Sequence, residues 1–285
     1  MNLGELFQYD FFTNTVLAAL FASISAGIIG TYIVSRRMVF LSGGITHASF
    51  GGIGIAYYLG FNPVFGAAAF AVFSAVGIDL FSNKRFMRND SLIGIWWSAG
   101  MALGVLFIYI TPGYTPNLMT YLFGSILTVT ALDVYLLAGL SIVVVVFFML
   151  FHKIIMFIAF DQSYARTHNL PVEIMSLFTS TLVALTIVFS IKVAGIILVI
   201  SLLTVPQAIV NMYSYNYKNI MLYSVVLSFI GIFAGLLISF KIDVPSGASI
   251  IFALLFMFLV ARMLLFVMNK IGVHKTVKSK LNNKQ

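Results

Sequence analysis

Residues 131–151 read ALDVYLLAGLSIVVVVFFMLF, a run of 21 residues in which Asp133 is the one charged side chain. A helix of about 20 apolar residues crosses the ~30 Å hydrocarbon core of a bilayer, and within lipid it satisfies its own backbone hydrogen bonds. This run therefore predicts a membrane-spanning helix.

The rest of the chain has the same character. Charged residues make up 8% of the sequence and hydrophobic residues 61%, whereas an average soluble protein is about 25% charged. Nine spans are predicted, at residues 11–34, 43–60, 63–81, 91–111, 131–151, 172–190, 194–211, 219–240 and 246–268. The segment Thr115–Thr128 is too short to cross and is interpreted as interfacial or re-entrant. We expect an all-α polytopic transmembrane helix bundle.

The basic residues predict the orientation of the bundle, because Lys and Arg are enriched in short cytoplasmic loops. With the N-terminus outside and the C-terminus inside, the outer loops keep only Lys192 and Lys241. The inner side then holds Arg36, Arg37, Lys84, Arg85, Arg88, Lys153, Arg166, Lys218 and the tail lysines. We expect one permease domain at 1–268 and a basic cytoplasmic tail at 269–285, whose lysines contact anionic lipid headgroups. Basic clusters between apolar runs argue against a nucleic-acid partner.

Several chemistries are excluded or disfavoured by the sequence. Cysteine is absent, so disulfides and thiolate metal sites cannot form. There is no G-x-x-x-x-G-K-[ST] phosphate loop, so the chain does not hydrolyse ATP by that route. An intramembrane enzyme is an alternative class, but Ser49, Ser98 and Ser141 have no second histidine or lysine at a suitable depth to activate them.

The second span contains His47, the only histidine within a predicted membrane segment. An ionisable side chain there is costly and is by default a functional candidate. Gly43, His47 and Gly51 recur every fourth residue, which leaves room beside the imidazole for an ion or another helix. Alternatively, a second set of small residues forms a helix-packing face with His47 hydrogen-bonded nearby; its members are Gly44, Ala48, Gly52, Ala56 and Gly60. Spacing alone favours neither interpretation.

Four aspartates lie near the ends of predicted spans. Asp90 has the sequence context of an N-cap. Asp79 is expected to pair with, or be solvated beside, the basic residues that follow it. Asp133 and Asp243 are interpreted as boundary residues.

A series of short motifs resembles the permease subunits of zinc and manganese ABC importers. Each motif is weak alone, but together they cover nearly the whole chain in family order. They are Gly30-Thr31-Tyr32-Ile33-Val34 with Arg36-Arg37; Thr46-His47-Ala48 with Gly51; Asp90 with Ile93-Gly94; Tyr121-Leu122-Phe123-Gly124; Asp161 with Ala165 and Leu170-Pro171; Val193 and Gly195 with Leu198 and Pro206; and Pro245-Ser246-Gly247.

The resemblance implies a permease of the bacterial cytoplasmic membrane, commonly a homodimer, that is not itself an enzyme. A cytoplasmic ABC ATPase pair would lie below it and an extracytoplasmic metal-binding protein above it. Segment 161–171 looks like the cytoplasmic coupling helix that docks into the ATPase. The residues carried over are Asp161, Ala165, Arg166, Asn169 and Pro171. An arginine at position 165 is expected to clash with the ATPase groove and leave membrane insertion intact.

The chain departs from the family pattern at three positions. Many relatives have an aspartate four residues before the membrane histidine, where this chain has Gly43. Asn169 replaces a common glycine and also tolerates a left-handed turn. Gln207 replaces a small residue and adds a side-chain amide whose purpose the sequence does not reveal.

His47 is the predicted ligand of the transported metal, and no permanently bound cofactor is expected. Imidazole, hydroxyl and carbonyl groups with few carboxylates suit zinc, then manganese or iron(II), better than calcium or magnesium. The alternatives are a permease for vitamin B12 or iron chelates, and an ATP-independent transporter. The latter would be expected to show more intramembrane carboxylates and an inverted repeat.

The predicted orientation can be tested directly because the chain has no cysteine of its own. Single cysteines placed at Asn2 and Asn283 should differ in their reaction with a membrane-impermeant thiol reagent added outside. Only the first should be labelled. Labelling of both positions, or of the second alone, would reject the orientation.

Overall fold

The computed structural model describes residues 9–82, 88–112, 124 and 126–282. Helices account for 88% of these residues, and no strand occurs among them. The helices are α1 (Asp10–Ser35), α2 (Val39–Leu59), α3 (Pro63–Ser82), α4 (Asn89–Ile110), α5 (Ala131–Leu150), α6 (His152–Phe160), α7 (Gln162–Thr167), α8 (Val172–Leu202), α9 (Val205–Asn211), α10 (Tyr217–Ile242) and α11 (Ser246–Asn282), with a short 3-10 turn at Ile126–Thr128.

Within the described ranges, nine helical stretches are long and apolar enough to cross a membrane. They coincide with the nine predicted spans, so the predicted fold class is confirmed. The predicted segment Thr115–Thr128 lies mostly outside the described residues. The orientation of the termini and the domain limits at 268 and 269 stay predictions.

The seventh predicted span is separated from the sixth by a break within α8 and is itself divided between the end of α8 and α9. It begins inside α8, where Gly195 has φ 76° and ψ 161°, values that interrupt the helix, and it continues through α9. Gly124, at φ 64°, lies against this break, and a Cβ there would be 2.3 Å from the backbone nitrogen of Gly195. Both positions need glycine, because L side chains rarely adopt such positive φ angles and no space exists at Gly124.

Helices α1, α2 and α8 are the most buried spans, and α4 and α11 are the least buried. Helix α8 packs against α1, α2 and α3, while α1 also packs against α5 and α10. Buried hydroxyls join α1 to α5, since the Oγ atoms of Ser25 and Ser141 lie 2.9 Å apart and Ser141 also donates to the carbonyl of Phe21 at 2.8 Å. The core is therefore a continuous helix-helix contact with a few polar links.

Helix α2 approaches its neighbours at backbone distance. A Cβ added to Gly52 would lie 2.1 Å from the carbonyl oxygen of Gly66 on α3, and one added to Gly100 on α4 would lie 2.5 Å from the backbone of Ala48. The predicted small-residue packing face is thus confirmed at these positions. Gly60 is different, because it ends α2 in a left-handed conformation at φ 74°, and a Cβ added there would meet nothing within 4 Å.

All four aspartates lie near helix ends, but not all of them in the predicted roles. Asp133 forms a capping box with Thr130, which confirms it as a boundary residue, and Asp243 ends α10 at φ 57°. The N-cap interpretation of Asp90 is wrong, because the helix begins one residue earlier and its N-cap is Arg88. Asp79 accepts a hydrogen bond from Ser176 Oγ at 3.2 Å; its expected basic neighbours fall outside the described residues.

Close packing at Gly52 leads to a prediction about stability. Gly52→Ala should lower the apparent melting temperature of the full-length chain in detergent, because overpacking typically costs about 1–3 kcal/mol. Gly139→Ala is the matched control on α5, where an added Cβ meets nothing within 4 Å and helix propensity gains up to about 1 kcal/mol. Equal melting temperatures for the two variants would contradict the close contact.

Candidate functional site

His47 lies within α2 and is half-buried. Its ring stacks on that of Trp97 from α4, with the centroids 4.2 Å apart and the planes 6° from parallel. The Nδ1 atom is buried and has no hydrogen-bond partner among the described residues. A buried imidazole nitrogen without a partner is costly, so this atom is available to a ligand.

Helices α2 and α4 each carry a glycine with room for a side chain, Gly43 and Gly94. A Cβ added at Gly43, one turn earlier on the same helix, would meet only Ile200 Cδ1 at an ordinary 3.5 Å, and one added at Gly94 of α4 would meet nothing within 4 Å. Ile200 belongs to the part of α8 that follows the break at Gly195. A small side chain would therefore fit at Gly43 or Gly94, and the second part of α8 approaches α2 at Gly43.

Among the described residues, few other side chains near His47 are typical metal ligands. Across the described part of the chain, no group of three or more His, Cys, Asp or Glu residues could hold a metal ion. The neighbouring hydroxyls of Ser42, Thr46 and Ser49 donate to carbonyls of their own helix. Within the described residues, further ligands are limited to hydroxyl oxygens, whose lone pairs stay available, and backbone carbonyls, together with water or a second polypeptide.

The predicted coupling segment forms the short helix α7 and the turn that follows it. Asp161 is the N-cap, and its Oδ1 accepts a hydrogen bond from the Tyr164 backbone nitrogen at 3.0 Å. Asn169 has φ 54°, which confirms the expectation that it occupies a left-handed turn. Pro171 immediately precedes α8, and Arg166 forms an exposed ion pair with Glu173 at 3.3 Å. Ser163, Tyr164 and Thr167 lie on the exposed surface of the segment.

Ala165 is fully buried inside the chain, where it packs with Ile158, Val172 and Met175. The structure therefore contradicts the expectation that an arginine at position 165 would clash with a partner while leaving this chain intact. Such a side chain would first disrupt the contact that holds α7 against α6 and α8. Ala165 anchors the coupling segment on the chain's own core. The exposed residues of the segment remain available to a partner.

Arg36 links the coupling segment to α1, a connection that the sequence did not reveal. Its Nη1 donates to the carbonyl of Ile158 at 3.3 Å and to the Tyr32 hydroxyl at 3.4 Å. With its amide oxygen turned toward the guanidinium, Gln162 accepts hydrogen bonds from both terminal nitrogens of Arg36 at 2.9 Å. The only sequence signal was the Arg36-Arg37 pair at the end of a predicted span.

Gln207 forms a second polar link between helices. It is fully buried on α9, and its Nε2 donates to the carbonyl of Ala26 on α1 at 2.9 Å. Gly30 makes room for it, since a Cβ there would lie 2.3 Å from Nε2. The Gln207 side-chain amide thus joins α9 to α1.

Comparison with known families identifies the family of this chain. The sequence profile of the ABC 3 transport family matches residues 8–265 of this chain. This chain belongs to that family. The family resemblance inferred from the motif series is thereby confirmed.

Two relatives and one solved structure are informative. The chain is 39% identical to a probable metal transport system membrane protein of Chlamydia pneumoniae, over 83% of each chain. It is 31% identical to the manganese transport system membrane protein MntC of Listeria monocytogenes, over 91% of this chain and 92% of that protein. The structure of PsaBC from Streptococcus pneumoniae in complex with Fab superposes with a TM-score of 0.82 at 27% identity, covering 91% of this chain and 93% of that one.

Proposed function

We propose that this chain is the membrane-spanning permease subunit of an ATP-driven importer of divalent transition-metal ions in a bacterial cytoplasmic membrane. The observation that carries the proposal is the buried, unpartnered Nδ1 of His47 within a span. Family membership and relatives named for metal and manganese transport support it. ATP hydrolysis belongs to a separate subunit.

We rank manganese ahead of zinc as the cargo, with iron(II) third. The expectation of zinc rested on ligand type alone, and imidazole binds both ions. A site with one imidazole per chain must be completed by water and carbonyl oxygens, ligands that suit manganese well. The Listeria relative is also named for manganese.

The proposed partners are an ABC ATPase pair, an extracytoplasmic metal-binding protein and a second copy of this chain. In a homodimer, two His47 side chains would supply two nitrogens, fewer than the four ligands usual for zinc. Such a sparse site suits an ion that must be released. Helix α4, which carries Trp97, is the least buried span, so the site lies near a surface that a second copy can cover.

Replacing His47 tests its role as a ligand. His47→Ala should reduce ATP-driven uptake of radiolabelled manganese and zinc by about 10-fold or more. His47→Phe should do the same, because it keeps an aromatic ring on Trp97 but removes both nitrogens. His274→Ala in the basic tail is the control that should leave uptake unchanged. The same uptake assay at acidic pH should show a loss for the unmodified protein, since ligation requires neutral imidazole.

If His47→Phe keeps normal uptake and only His47→Ala loses it, His47 is a packing residue. Its assignment as a metal ligand would then be rejected. Gly43→Asp provides the opposite test. The space at Gly43 admits a Cβ, and a carboxylate one turn from the imidazole should increase the retention of metal by the purified complex.

Docking of the coupling segment is tested by Ser163→Arg, which changes its exposed surface without entering the chain's own core. In the reconstituted complex, uptake should fall by about tenfold or more, as expected for a disrupted contact hot spot, while ATP hydrolysis continues. Tyr215→Arg is the control, since Tyr215 is 96% exposed and lies outside the segment. Coupled transport at the normal rate in Ser163→Arg would remove this surface from the proposed interface.

A further inference from the structure

A groove of about 690 Å³ opens on the side of the bundle where α5 ends and α6 and α10 begin. One part of its lining is apolar and belongs to the last turns of α5 and the second turn of α10, with Val145, Phe148 and Met221 among its residues. The other part lies at the helix ends and contains Lys153 and Lys218. The groove thus has an apolar wall, formed by α5 and α10, and a basic rim, formed by Lys153 and Lys218.

Among the described residues, nothing pairs with the positive charge of the rim. Lys153 and Lys218 are exposed, and no carboxylate in the described part of the chain forms an ion pair with either. Each lysine also lies in the first turn of its helix, where the helix dipole already contributes positive potential. Cations are normally unfavourable at that end of a helix, so an anion placed between the two lysines would be stabilised by both.

His152 lines the same rim. Burial, and secondarily the charge of Lys218, lower the pKa of His152 below its usual value. The imidazole is therefore neutral near pH 7 and adds a hydrogen-bond donor to the rim instead of a third charge.

The apolar wall includes exposed residues at the end of a candidate membrane span. Met149 and Leu150 are 74% and 72% exposed at the end of the candidate span Ala131–Leu150. A free phosphate ion would leave the apolar wall uncovered, and a soluble protein would have to enter the membrane to reach it. A ligand with an anionic head and a hydrocarbon body matches both parts of the groove.

We propose that this groove binds one anionic phospholipid, with its phosphate between Lys153 and Lys218 and an acyl chain along α5 and α10. The site is separate from His47 and does not depend on the transport function proposed above. Basic pockets between membrane helices are known to hold anionic headgroups, and each lysine near the surface strengthens such binding by about fivefold.

Native mass spectrometry of the full-length chain in a non-ionic detergent tests the proposal. After incubation with dioleoyl phosphatidylglycerol or dioleoyl phosphatidylcholine, the unmodified chain should retain one phosphatidylglycerol at least about tenfold better. Lys153→Gln and Lys218→Gln should each weaken retention about fivefold, and the double variant should lose the preference. Lys241→Gln is the matched control, because it removes the same charge from the opposite end of α10.

Two further arms identify the ligand and monitor folding. Phosphatidylglycerol should raise the melting temperature of the unmodified chain but not of the double variant. Glycerol phosphate, which lacks acyl chains, should fail to displace the lipid. Equal retention of the two lipids by the unmodified chain, an equal loss in Lys241→Gln, or displacement by glycerol phosphate would each overturn the proposal.

Discussion

Close backbone contact between α2 and its two neighbours is the constraint on which this structure depends. In lipid, helices gain no hydrophobic free energy by associating, since the solvent is as apolar as their side chains. Association then relies on dispersion contacts, and these are greatest where glycine and alanine allow backbones to touch. The contacts of Gly52 with Gly66 and of Ala48 with Gly100 fix α2 against α3 and α4. They also hold the rings of His47 and Trp97 face to face.

Polar links form a second, sparser layer of the architecture. Ser25 with Ser141, Gln207 with the Ala26 carbonyl, and Arg36 with the Ile158 carbonyl each connect segments distant in sequence. A hydrogen bond inside a membrane contributes only about 1 kcal/mol. Because a hydrogen bond is directional, however, it restricts the rotation of each helix about its axis and the position of each helix along the membrane normal. Apolar packing alone restricts them less strictly.

The spans were predictable because lipid imposes a length and an apolar composition that any sequence must show. Local capping was partly predictable: Asn169 does occupy a left-handed turn, but Asp90 is not the N-cap of its helix. The boundary between the sixth and seventh spans was predicted at residues 191–193, where Lys192 interrupts the apolar run, and the helix breaks close by at Gly195. The further division between α8 and α9 was not predicted. The burial of Ala165 was missed because the side on which a six-residue helix is covered depends on tertiary contacts. The small residues around His47 were visible in the sequence, whereas its stacking partner Trp97 comes from another span.

The paired glycines at the break in α8 have a consequence for how this region can vary. At Gly124 an added methyl group would collide with the backbone of Gly195, and both residues hold positive φ angles. Steric exclusion and backbone conformation are independent objections, so relieving one does not relieve the other. A second substitution that cleared space at Gly124 would therefore still leave the new side chain at a φ angle that few residues adopt. In a mutational scan the pair should appear as two intolerant positions, even though neither residue carries a side chain.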